Sequence, residues 1–379
     1  MTGPQTNRER PDGLSPELPV VAVTTANDLA AVIPYLLGFH PDDSIVVLVA
    51  GDDHRIVHII RADLPEPDEI GDLTDALQAA FGTVLADRPT GSDASPAGNG
   101  DHLHRPPGST VVHLLGYGSP RRVRPTLAAL RTSLATAGLD LSWPLRITDG
   151  RVWADDDPTG PHGEPIGDHP EAGAVAAYQG VAPLPSKAAY IAQVEPGPAA
   201  FSAATTAAFE QAEQRLYRLA ATSIEPNSPA DRNRQLIRVA LRTTGTTLLD
   251  QALRQAEHGQ PLDDDNAALL TLMLHAPELR DVAMLHPTNP AVQQWAWLDL
   301  TQRARPGDVG GVGGLLAIVA WRRGDELLAR AAAARVLAVE PTNNLANLVL
   351  ELMARHVPPT VWSEVLAARA ASNDEAPDR

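Results

Sequence analysis

Gly38-Phe39-His40-Pro41-Asp42-Asp43-Ser44 is a sharp polar turn set between two apolar runs, Leu29 to Leu37 before it and Ile45 to Ala50 after it. The first run places Leu29, Val32, Ile33, Leu36 and Leu37 at helical spacing. The second is a β-branched stretch of strand length. A helix that ends at Gly38 and hands the chain to a strand through His, two carboxylates and a hydroxyl reads as the edge of an α/β layer. Thr25 or Asn27 is placed to cap that helix, and Pro34 inside its pattern predicts a kink or two short helices.

Working outward, residues 1–18 read as a disordered tail and Val20 to Thr24 as a short strand. Ser44 to Ala50 and Ile56 to Asp63 are strand-like runs joined by Gly51-Asp52-Asp53-His54, a hairpin pattern that makes the sheet mixed. Asp68 to Asp87 has helical periodicity, and residues 88–108 form a long Gly/Pro/Ser loop. Thr110 to Leu115 is a strand ending in Gly116-Tyr117-Gly118, and a helix follows from Pro120 to Thr136. Leu145 to Thr148 and Arg151 to Ala154 flank Asp149-Gly150, a two-residue hairpin signal. Together these predict a mixed-sheet α/β or α+β domain over 19–195, with a second loop at 155–170.

After Pro198 the strand signal disappears, and an all-α domain is expected over 196–371, followed by a short disordered tail at 372–379. Helical patterns run over Phe201–Thr222, Asp231–His258, Asp263–His275, Asn289–Arg303, Leu315–Arg323, Glu326–Val339, Asn343–Arg355 and Pro358–Ala371. Leu315 to Trp321, the turn at Arg323-Gly324-Asp325 and the alanine-rich stretch to Val339 form a repeat-like helix pair. It is either tetratricopeptide-like or part of an ordinary bundle. Gly307, Gly310, Gly311, Gly313 and Gly314 lack the Lys-Ser/Thr ending of a phosphate loop and follow a helix rather than a strand, so they are expected to be a flexible lead-in to the helix at Leu315.

Composition narrows the function classes. The 379 residues carry a formal net charge of -17, the wrong sign for neutralising phosphates, so no nucleic-acid partner is expected. Hydrophobic residues make up 44% of the chain, enough to pack a core, but aromatics are only 4%, so Ala, Leu and Val must fill it. There is no cysteine, which excludes disulfides, thiolate metal sites and a cysteine nucleophile. Lys187 is the only lysine, and this arginine, alanine and proline usage fits a high-GC, actinobacterial coding bias. No run approaches the ~18 apolar residues that span a bilayer, and none resembles a signal peptide. A cytoplasmic protein with no membrane partner and no cofactor is expected.

Pro34-Tyr35-Leu36-Leu37-Gly38-Phe39-His40-Pro41-Asp42-Asp43-Ser44, followed by Arg61-Ala62-Asp63-Leu64-Pro65, resembles the N-terminal signature of the actinobacterial DUF 4192 family, a domain of unknown function. Four further segments fit the resemblance: Gly116-Tyr117-Gly118, Asp149-Gly150-Arg151-Val152-Trp153, Ala182-Pro183-Leu184-Pro185-Ser186 and Ala320-Trp321-Arg322-Arg323-Gly324-Asp325. It covers roughly residues 20–370 and implies a fold but no activity. The sequence departs from that pattern after Trp153, where relatives carry a cysteine pair and this chain has Asp155-Asp156-Asp157-Pro158-Thr159-Gly160-Pro161-His162-Gly163-Glu164-Pro165.

Two functional readings follow. In the first, the protein is a non-catalytic ligand- or partner-binding protein. Its ligand meets His40, Asp42, Asp43, Ser44, Arg61, Asp63 and Tyr117 at the sheet end. A protein partner meets the helical half, with Trp295, Trp297, Trp321 and Trp362 as its candidate aromatic anchors. In the second, it is a hydrolase or transferase in which His40 supplies acid/base chemistry beside Asp42, Asp43 and Arg61. For either, His40, Asp43, Arg61 and Asp63 are expected to converge. Turn chemistry alone accounts for the other residues of the turn: Pro41 and Asp42 fix it, Asp43 and Ser44 satisfy backbone donors, and Arg61 pairs with a carboxylate.

Overall fold

A computed structural model describes residues 23, 25–50, 56–86, 111–137, 139–142, 144–154, 163–169, 171–173, 182–355, 357–362 and 364. The expected tails, the 51–54 turn and the 88–108 loop lie outside these residues, as do most of the 20–24 strand, the 155–170 loop and the last helix. The chain divides into two compact units, Met1–Lys187 and Ala188–Arg379. The first carries a mixed sheet and the second is helical.

The sheet unit opens with α1 (Ala26–Leu37), fixed by a capping box. The Asp28 amide donates to Thr25 Oγ1 at 3.0 Å, and the Thr25 amide donates to Asp28 Oδ2 at 2.9 Å. The division expected at Pro34 does not occur, and α1 is one element. Pro34 falls in its last turn and is buried, so its packing offsets the one ladder bond that its missing N–H removes. Gly38 ends the helix at φ 77°, in the left-handed region that a residue without Cβ adopts cheaply.

The strands are β1 (Ser44–Ala50), β2 (Ile56–Asp63), β3 (Val111–Tyr117), β4 (Asp140–Leu141), β5 (Leu145–Thr148), β6 (Arg151–Ala154) and β7 (Glu164–Pro165). They line up as β2-β1-β3-β5-β6-β7, with β4 also on β3. β1 is antiparallel to both β2 and β3, whereas β3 and β5 are parallel. The crossover between them is α3 (Pro120–Thr136), as the parallel geometry requires. Asp149 and Gly150, at φ 51° and 68°, close the β5–β6 hairpin as the Asp-Gly pair predicts.

Both faces of β1 are covered, so every residue of it is buried. Ile45, Val47 and Val49 pack with Leu77 of α2 (Ile70–Ala86) and with Val123, Leu127, Leu130 and Leu134 of α3. Val46 and Leu48 pack on the opposite side with Leu29 and Ile33 of α1, together with Leu115, Tyr117 and Ile147.

Past α4 (Lys187–Ile191), the helical unit comprises α5 (Ala203–Thr222), α6 (Ala230–Glu257), α7 (Asp264–Met273), α8 (Pro277–Met284), α9 (Pro290–Arg303), α10 (Val309–Arg322), α11 (Glu326–Val339) and α12 (Asn344–Ala354). Two expectations are corrected here. Pro277–Met284 is a helix that the periodicity missed, being only eight residues long. The glycine run is not a flexible lead-in: α10 begins at Val309, and Val309 through Trp321 are all buried. Tertiary packing overrides glycine's poor helix propensity. A Cβ on Gly311 would lie 2.4 Å from the Leu274 carbonyl oxygen, and one on Gly313 would lie 2.5 Å from Val336 Cγ2. Glycine lets neighbours touch the helix backbone itself.

Candidate ligand-binding corner at the strand ends

The register of β1 decides which side chains meet. Ser44 stands opposite Asp63 on β2 and Tyr117 on β3, and Val46 stands opposite Arg61. Directly opposed residues share a face, and so do residues two apart along a strand. Ser44, Arg61, Asp63 and Tyr117 therefore occupy one face of the sheet, the α1 side, at the carboxyl ends of the parallel pair β3 and β5.

Arg61 ties this row together. Its Nε and Nη2 donate to Ser44 Oγ at 3.1 and 2.6 Å, and Nη2 pairs with Asp63 Oδ1 at 2.6 Å. The Ser44 hydroxyl, fully buried, donates to the Asp42 carbonyl at 2.5 Å. Lys187 Nζ also reaches Asp63, at 2.8 and 2.6 Å to its two oxygens, sharing Oδ1 with Arg61. Partial burial pushes the Asp63 carboxyl up, but Lys187 and Arg61 outweigh it and hold the group below its ordinary value. Tyr117 completes the row. It is 6% exposed, its hydroxyl has no hydrogen-bond partner among the described residues, and burial pushes its ionisation upward.

Lys187 is delivered by a segment distant in sequence. The Leu184 amide donates to the Gly38 carbonyl at 2.8 Å, and the His40 amide donates to Leu184 O at 2.9 Å. Phe39 and Leu184 thereby form a parallel bridge, and α4 starts three residues on. Sequence reasoning had not placed Lys187 at the corner. Its signal was present: the only lysine in the chain directly follows one of the segments that carry the family resemblance.

Asp43 does not join this row. At φ 38° it turns away and pairs with Arg122 of α3, Nη1 to Oδ2 at 3.0 Å. Arg122 Nη2 also pairs with Glu66 at 3.2 Å and donates to the Leu64 carbonyl at 2.8 Å. The Leu64 amide donates to Asp43 O at 2.8 Å. Gly118 makes room for this: at φ 131°, a Cβ there would lie 2.6 Å from Asp43 Oδ1. Asp42 Oδ1 accepts from the Asp43 amide at 2.9 Å, the turn bond expected of it. His40 is exposed, and its ring makes no hydrogen bond or ion pair among the described residues.

The corner thus has two ion-pair sets. Arg61, Asp63 and Lys187 form one with Ser44, while Asp43, Arg122 and Glu66 form the other, and His40 stands outside both. No cluster of three or more His, Asp or Glu side chains able to hold a metal occurs among the described residues, and no described helix is long and apolar enough to cross a membrane.

In the helical unit, Trp321 is 3% exposed and belongs to the core, as does the fully buried Trp297. Trp362 packs partly buried against that core, with the Arg322 guanidinium 5.1 Å from its ring centre. The tryptophan that faces solvent is Trp295, 39% exposed.

Comparison with family models matches residues 27–360 to one described as "Domain of unknown function (DUF4192)". No curated protein matches the chain, and no solved structure does.

Proposed function

The chain belongs to the DUF4192 family, and from that premise we propose that it is a non-catalytic binding protein: the strand-end corner takes a small polar ligand and the helical unit docks a protein partner. One observation carries the reading. The Ser44 hydroxyl is fully buried and held between the Arg61 guanidinium and the Asp42 carbonyl, with no carboxylate or imidazole hydrogen-bonded to it among the described residues. Arg61, Asp63 and Lys187 are committed to one another, as are Asp43, Arg122 and Glu66. Such a set suits recognition, in which a ligand's charges exchange with Lys187, Asp63 or Arg61, better than proton transfer. The hydroxyl of Tyr117, whose strand position faces Ser44, is buried and unpartnered among the described residues, a donor that such a ligand would satisfy.

For the helical unit, exposed Trp295 keeps the anchoring role expected of it, with Trp362 beside Arg322 as a second aromatic, while Trp297 and Trp321 belong to the core. Consecutive packing of α10, α11 and α12 supports the tetratricopeptide-like description of this end.

Native mass spectrometry of the full chain purified from its own host tests the corner. A small molecule retained by the wild type and lost from Arg61→Ala and Tyr117→Phe supports the reading. Turnover of an ester, amide or phosphoester panel that disappears in His40→Ala overturns it in favour of a hydrolase or transferase.

A further inference from the structure

Between Ala212 in α5 and Gly245 in α6 no residue is buried. At 1.5 Å per residue, about 15 Å of α5 and about 22 Å of α6 make up a helical hairpin with no buried residue, of which Leu216 and Leu241 pack partly buried against the core. Its connecting turn is held together by Glu225, which accepts from Ser228 Oγ at 2.9 Å and pairs with Arg232 at 3.1 Å.

The hairpin is basic on an acidic chain. Residues 213–244 hold six arginines and three carboxylates, in a chain of net charge -17. All three carboxylates are taken: Glu213 by Arg305, Glu225 by Arg232, and Asp231 by Arg234. Arg215, Arg218, Arg238 and Arg242 have no carboxylate within ion-pair distance among the described residues. Arg234, Arg238 and Arg242 recur every four residues, so they stack along the solvent face of α6, one turn apart. Val239 and Tyr217, 55% and 77% exposed, lie among the arginines of the hairpin.

A surface of opposite sign and similar spacing exists on the same molecule. Asp68, Asp72 and Asp75, before and within the first turns of α2, are exposed, four and then three residues apart, and none pairs with a basic group among the described residues. We propose that the basic hairpin of one copy docks on the acidic α2 face of a second copy, so that the protein self-associates through contacts of Arg238 and Arg242 with Asp72 and Asp75. Long polyanions and anionic membranes are disfavoured, because the rest of the chain repels them over distances beyond the hairpin.

Naming a partner for the helical unit, this inference rests in part on the reading that this unit docks protein. Sedimentation velocity of the full chain tests it. The wild type should associate at about 0.1 M salt and dissociate at about 1 M, as the screening length falls from about 10 to about 3 Å. Arg238→Glu/Arg242→Glu and Asp72→Arg/Asp75→Arg should each be monomeric, and their equimolar mixture should form the heterodimer. A wild type that is monomeric throughout, or an assembly that neither variant changes, overturns the proposal. So does a change of shape without a change of mass, or a monomer that binds duplex DNA or phosphatidylserine vesicles through the hairpin. A monomer that still retains a ligand at Arg61 sinks this inference alone.

Discussion

β1 and α10 are both buried along their length, yet they reach that state by opposite means. β1 fills both faces with branched side chains, so its backbone meets only its two neighbouring strands. α10 removes side chains at four positions, and its neighbours close on the helix backbone. One element is set by what it contains and the other by what it omits. The first is therefore sensitive to cutting and the second to adding.

Cutting into the strand has the largest expected effect. Leu48→Ala empties a fully buried site on the α1 side and should lower stability by about 3 kcal/mol, seen as a drop in the urea midpoint. Adding to the helix comes next. Helix propensity alone favours Gly311→Ala by about 1 kcal/mol. The new methyl would meet the Leu274 carbonyl, a backbone atom that cannot step aside, so a net loss of about 1–3 kcal/mol is expected. Gly310→Ala separates the two effects, because its methyl meets the far end of the Glu340 side chain, which can swing away at the cost of its hydrogen bond from Asn343. It should stay within about 1 kcal/mol of the wild type. Equal losses at both glycines would break the comparison.

The contrast extends to charge. Burial pushes up the carboxyl of Asp325, which caps α11 and accepts from the Tyr190 hydroxyl. A raised folded pKa gives stability present below the ordinary carboxylate value and lost as pH rises, so the buried charge costs stability at neutral pH. Asp325→Asn keeps a capping oxygen and should match or exceed the wild type at pH 7, with the advantage shrinking as the pH is lowered toward about 4. Asp63 has the opposite sign. Its depressed pKa gives stability present above about pH 4 and lost in more acidic solution. Its side chain is 66% exposed, so solvent screening should keep the loss in Asp63→Asn below about 1 kcal/mol, the smallest effect of the series. Thermal melts across pH 3–8 would read both. Matching slopes for the two variants would refute the assignment.

Local chemistry was legible in the sequence. Pro120–Thr136 has the helix bounds its pattern predicts, Asp149-Gly150 makes its hairpin, and Gly38 ends α1 in the left-handed region. At the corner, the Arg61–Asp63 pair is local to one strand and could be anticipated. The link from Arg122 to Asp43 spans 79 positions and depends on how α3 seats against the sheet, which no local pattern encodes. Lys187 on Asp63 spans 124. The glycines of α10 mislead for the same reason: their role lies in Leu274, Val336 and Leu345, which approach from other helices.

The β1–β2 ladder keeps strict register from Ser44/Asp63 to Val49/His58 and shifts only between Val49 and Ala50, at the end away from the corner. A one-residue slip in a strand pair turns every following side chain to the other face. Irregularity confined to that end acts as an expansion joint. Insertions or deletions in the connection between the strands would be absorbed there, and the order Asp63, Ser44, Tyr117 would persist across relatives whose hairpins differ in length.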